Sequence, residues 1–64
     1  MFEAKIIRLR VRGETFFNAA VFFGGRAVFQ RKALPSKSYA QLEVLEWAQR
    51  HGKTELLNWQ YLHK

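Results

Sequence analysis

Apolar and polar residues alternate along "EAKIIRLRVR", residues 3–12, with Ile7, Leu9 and Val11 on one side and Arg8, Arg10 and Arg12 on the other. A period of two, carried largely by aliphatic side chains, marks a strand with one side buried and the other wet. Gly13-Glu14 suits a two-residue turn with glycine first, so a second strand follows over residues 15–23. Gly24-Gly25 is a further hairpin signal, because both positions accept the positive φ such turns require. "RAVFQRKA", residues 26–33, reads as the third strand.

Leu34-Pro35 ends the sheet. Ser38 and Gln41 form an S-x-x-Q capping box, which starts a helix at Tyr39 and carries it to about residue 51. On a helical wheel Ala40, Val44, Trp47 and Ala48 share one face with Leu45 beside them. Glu43, Glu46 and Arg50 lie opposite, with Glu46 and Arg50 at the favourable i,i+4 spacing. Gly52 stops the helix. In the tail, Leu57, Trp59 and Tyr61 alternate with Asn58 and Gln60, which predicts a fourth, short strand over about 56–62. A strand returning from a helix usually lies parallel to an earlier one through a right-handed crossover. The expected fold is one α+β domain over residues 1–64. It is an antiparallel three-stranded meander, one helix packed on one face and a C-terminal strand, in the order βββαβ.

Two-residue loops at 13–14 and 24–25 set Arg12 opposite Thr15 and Phe23 opposite Arg26. One face then collects Ile7, Leu9, Val11, Phe16, Ala20, Phe22, Ala27 and Phe29, interrupted by Asn18 and Arg31. This is the expected core side, under the helix. The other collects Arg8, Arg10, Arg12, Phe17, Val21, Phe23, Arg26, Val28, Gln30 and Lys32, and is expected to be open.

Sixty-four residues lie near the lower size limit for a self-sufficient core, and the 48% apolar content argues for folding rather than disorder. There is no cysteine, so no disulfide framework or thiolate site exists, and the cytoplasm is the natural compartment. "MFEAKIIRLR" has no long apolar stretch and no run of about 18 apolar residues follows, so neither a signal peptide nor a membrane span is expected.

Charge changes the picture most. Eleven Lys and Arg stand against five acids, all glutamate, for a net charge of +6 and a pI near 10.4. Such a balance favours a polyanionic partner: nucleic acid, an anionic surface or an acidic protein. Lysine and arginine displace counterions from phosphates, aromatic rings stack on unpaired bases, and Arg or Gln can read base edges. On this chemistry Arg8, Arg10, Arg12, Arg26 and Lys32 are candidate phosphate contacts, and Phe17, Phe23 and Gln30 candidate contacts to bases or sugars. The expected function is a small, non-enzymatic nucleic-acid-binding protein, DNA more than RNA, without cofactor. Its size and style suit a phage or mobile element. The competing reading is a protein-interaction module, an inhibitor, antitoxin-like partner or homodimer, that uses the same apolar and basic face. A plain solvated face, guarded against aggregation by its arginines, is the third.

Other motifs carry no chemistry. "GKT" at 52–54 resembles the end of a phosphate-binding loop, but Trp47 stands where its first glycine belongs and a helix precedes it. His51 and His63 lack neighbouring ligands in sequence, and Glu43 and Glu46 read as a solvated ion-pair face with Arg50.

Two families share parts of this pattern. Three strands and a helix over residues 3–50, with "SYAQLEVLEWA" in the helix, resemble the arm-type DNA-binding domains of phage integrases, which lay a three-stranded sheet into the major groove. "ALPSKSYAQLEVLEWAQRHGK" followed by "LLNWQY" is similar to the third strand, first helix and fourth strand of the βββαβ half of ribonuclease H-like domains. Those enzymes hold two metal ions with clustered carboxylates. This chain has no aspartate and only Glu43 near the helix acid, so that resemblance implies a binding module, as in small antitoxin domains.

Overall fold

A computed structural model describes residues 1–63. The alternating segments are strands β1 (Phe2–Val11), β2 (Glu14–Phe23) and β3 (Arg26–Leu34). Helix α1 (Lys37–His51), a single 3-10 turn (Thr54–Leu56) and strand β4 (Leu57–His63) complete the chain. The strands form one sheet in the order β3-β2-β1-β4. β2 runs antiparallel to β1 and β3, while β4 runs parallel to β1, so the sheet is mixed. The meander, the helix and the terminal strand are those the alternation and the capping signals predict.

Local chemistry sets the boundaries, and at two of them it differs from the expectation. The first hairpin turns on Arg12-Gly13 rather than Gly13-Glu14. Both residues have positive φ, 53° and 81°, the conformation a tight hairpin loop demands, and Val11 pairs with Glu14. Moving the turn by one residue shifts the pairing by two, so each side chain keeps its face. The helix is capped by Ser36 rather than Ser38. The Ser36 Oγ accepts a hydrogen bond from the Tyr39 N–H at 3.1 Å, which satisfies a donor that the first turn leaves free. The Pro35 ring disfavours helical backbone at Leu34 before it, and α1 starts at Lys37, after the Ser36 cap. Gly52 ends α1 in the left-handed conformation at φ 66°, with the Gly52 and Lys53 N–H groups bonded to the Gln49 and Ala48 carbonyls. The "GKT" segment is therefore a helix stop.

The largest departure concerns which face the helix covers. On β1 and β2 the two sets of side chains are grouped as alternation predicts, but α1 lies on the set expected to be open. Beneath it sit Ala4 and Ile6 of β1 and Ala19 and Val21 of β2, with exposures of 2% or less. From the helix come Ala40, Val44, Trp47 and Ala48, as its wheel predicts. The alanines explain the choice. Ala4, Ala19, Ala40 and Ala48 let the helix backbone approach the sheet closely, while Ile6, Val21 and Val44 fill the space between. Bulkier Ile7, Leu9, Phe16 and Phe22 occupy the opposite face, where they are only half-buried.

Strand β3 departs further. Phe23 pairs with Arg26 and Phe22 with Ala27 as expected, but Val21 pairs with Phe29, so Val28 is an extra residue in β3. From there to the second irregularity, the β3 side chains change face, and Leu34 beyond it returns to the helix side beside Phe17. Phe29 turns under the helix, at 9% exposure, and packs 6.0 Å from the Trp47 ring. Gln30, opposite Ala20, turns to the uncovered face. A second irregularity lies between Ala19–Arg31 and Phe17–Leu34. There Ala33 has φ 58° and donates its N–H to the Asn18 Oδ1 at 3.0 Å. Asn18 and Arg31, which interrupt the expected core side, thus have roles of their own. Arg31 lies against the Phe29 ring, 4.7 Å from its centroid, and pairs with Glu43 at 3.5 Å. In place of the expected ion pair with the Glu46 carboxylate, the Arg50 Nε donates to the Glu46 backbone carbonyl at 3.5 Å.

Candidate nucleic-acid interface

The eight candidate residues do not share one open face. Strand lengths separate them. Among the described residues, β4 pairs with β1 as far as Arg8, and β3 pairs with β2 from Phe17 onward. Over residues 9–16 the described pairing is that of β1 with β2 alone, a two-stranded ribbon. The molecule is correspondingly long and thin, 37 × 21 × 14 Å.

Arg10 projects from this ribbon on the helix side, Arg12 lies in its turn, Arg8 stands at its base on the same side as Arg10, and all three are exposed. Phe17 stands directly opposite Arg8, but its ring is half-buried and packs against the core cluster. At the base of the ribbon other elements add to the charge. The register of β4 sets His63 opposite Arg8, and the start of α1 brings Lys37 to the same hollow, lined also by Ile6, Phe17 and Tyr61. Lys37 Nζ sits 4.2 Å above the Tyr61 ring, and Gln41 Nε2 donates to the Tyr61 hydroxyl at 2.6 Å. Tyr61 thereby fixes the ground on which Lys37 stands. Lys37 and His63 are not among the residues that hairpin reasoning selects. The signal for His63 was the parallel return of β4, extended to the end of the alternation.

Phe23 and Arg26 occupy the opposite end of the sheet, about 26 Å from Arg10 at roughly 3.3 Å per residue. The Phe23 ring is 49% exposed but packs on Phe2, with centroids 4.6 Å apart and planes at 31°. Lys53 covers the same Phe2 ring at 5.6 Å. Gln30 and Lys32 lie on the uncovered face with Ile7 and Phe22. Of the eight, the three arginines Arg8, Arg10 and Arg12 thus lie in one group beside the packed Phe17, Phe23 and Arg26 lie at the other end of the sheet, and Gln30 and Lys32 lie on its far side.

Among the described residues no three of His, Cys, Asp and Glu come together as metal ligands. His51 is the helix-end residue, with Nδ1 2.8 Å from the Trp47 carbonyl and its ring stacked on Trp47 at 4.6 Å. No helix among the described residues is long and apolar enough to cross a membrane. Compared with models of protein families, with curated proteins and with solved structures, the chain matches none.

Proposed function

We propose that the protein is a small, non-enzymatic nucleic-acid-binding module, DNA before RNA, that engages its target through the β1–β2 ribbon. The observation that carries the reading is the placement of Arg10 and Arg12 on a two-stranded ribbon, with Arg8, Lys37 and His63 together at its base. The major groove of B-DNA admits a two-stranded ribbon, and arginines spaced along it reach phosphates on the groove walls or guanine edges on its floor.

The aromatic residues favour duplex over single strands. A base-stacking platform needs a ring face free for a base. Phe17 is packed into the core, and Phe23 gives one face to Phe2. The ring beside the ribbon arginines, Phe17, is packed away, and Phe23, which keeps a face, lies at the other end of the sheet, so charge without a neighbouring free ring suits a double-stranded backbone. The likeness to arm-type DNA-binding domains supports the same use of a strand surface. In the ribonuclease H-like comparison, the helix acid Glu43 is engaged by Arg31, which suits a structural role and a binding module.

Titration of a labelled DNA duplex, the matching single strand and an RNA duplex, each across a salt series, tests the proposal. Tightest binding to DNA duplex, with log K falling linearly in log salt, is the expected result. Absence of salt-dependent binding to any of the three overturns it.

A further inference from the structure

The face that α1 leaves bare differs from the rest of the molecule in chemistry. Ile7, Leu9 and Phe16 stand half-buried along its middle and Phe22 at one end, while Val11 and Leu62 are exposed at 52% and 42%. A sheet with one helix buries only one of its two sides, and apolar residues in this number on the second side call for a second layer.

The charges on this face identify the layer. Among the described residues, Glu3 and Glu14 lie on it by strand register, as do Lys5 and Lys32, so these charges balance while the chain as a whole carries +6. Two of its charged groups are engaged within the face. Gln60 Nε2 donates to Glu3 Oε2 at 3.2 Å, and Lys5 Nζ lies 4.9 Å over the Phe22 ring. A nucleic acid or an acidic protein gains nothing from a neutral surface. A second copy of the same chain can approach here without bringing one +6 surface onto another.

We infer that two copies pack these faces together as a two-fold symmetric dimer, helix–sheet–sheet–helix in cross-section. The contact is isologous, so Leu9 and Phe16 meet the same patch on the partner. The dimer also supports the ribbon. An isolated two-stranded hairpin is marginal in water, and the apolar side of residues 9–16 gains a cover that neither β3 nor β4 supplies. Both basic ribbon sides remain outward.

Sedimentation equilibrium of the full chain, without nucleic acid, across micromolar to millimolar concentrations tests the inference apart from the function proposed above. The expected mass rises from 7.6 kDa to twice that value. Leu9→Glu and Val11→Glu each place a carboxylate in the contact and weaken the dimer by about tenfold or more. Because glutamate lowers the net positive charge, this weakening is not a gain in overall repulsion. Thr15→Glu makes the same charge change on the other side of the ribbon and leaves the mass unchanged. Val11 is half-exposed, so its variant keeps the monomer fold whatever Leu9→Glu does to melting. A chain that stays at 7.6 kDa throughout overturns the inference. So does a dimer that both face variants leave intact, or one that Thr15→Glu dissolves equally.

Discussion

Phe29 stands opposite Val21 across the β2–β3 ladder, because Val28 is an extra residue in β3 just before it. That single insertion decides that Phe29 belongs under the helix. Phe29→Ala is expected to cost about 3–5 kcal/mol of folding stability, the range for a buried aromatic. Phe22→Ala, on the uncovered face, should cost clearly less in the monomer. Urea denaturation of both variants at low protein concentration checks the order, and a larger loss for Phe22 would reverse the assignment of faces.

On the ribbon, Arg10→Ala should weaken duplex binding for all sequences. It should also flatten the slope of log K against log salt by about one unit for the lost phosphate contact. Arg26→Ala, at the other end of the sheet, should leave both within twofold. Fluorescence anisotropy at several salt concentrations separates the two. Equal effects from Arg10 and Arg26 would mean that charge acts as a diffuse field rather than through the ribbon.

Phe17 and Arg8 face each other on the same side of the hairpin, yet removing them should do different things. Phe17→Ala is expected to lower stability by about 2–3 kcal/mol through lost core packing and to leave the salt slope unchanged. Arg8→Ala should hardly move the melting temperature and should lower affinity. Thermal melts run beside the binding titrations give the comparison. A Phe17 variant of normal stability that loses single-strand binding would restore a stacking role to that ring.

At the helix start, Ser36→Ala should cost about 1 kcal/mol by leaving the Tyr39 N–H without its acceptor, and Ser38→Ala should be nearly neutral. In a domain of this size about 1 kcal/mol moves the melting temperature by roughly 4–8 °C, well within calorimetric resolution.

The left-handed conformation of Ala33, φ 58°, is strained for a residue with a Cβ. Ala33→Gly should therefore raise stability by about 0.5–1 kcal/mol, less whatever glycine adds to unfolded-chain entropy. A loss on that substitution would show that Asn18 and the chain around it hold the bulge without strain.

Much of the fold is legible from local chemistry. Alternation over residues 3–12 and 57–61, the diglycine at 24–25, Pro35 and Gly52 each act within a few residues, and each marks an element that the structure contains. The pairing of side chains on β1 and β2 is equally local: the turn can move by one residue and leave each face the same, because the strand period is two. The chemistry of Arg8, Arg10 and Arg12 as one exposed row follows from the same period.

Tertiary structure alone decided which row lies under the helix. Both faces of the hairpin are apolar enough to be a core, so hydrophobicity does not choose between them. Close approach does, and it selects Ala4, Ala19, Ala40 and Ala48, residues whose smallness counts only once the helix and sheet meet. The Val28 insertion is likewise invisible in "RAVFQRKA", since a bulge is set by the fit of two strands rather than by either one. For the same reason the candidate site gathers Lys37 and His63, which are distant in sequence from the arginines, and disperses Phe23, Gln30 and Lys32, which a single hairpin face would have kept together.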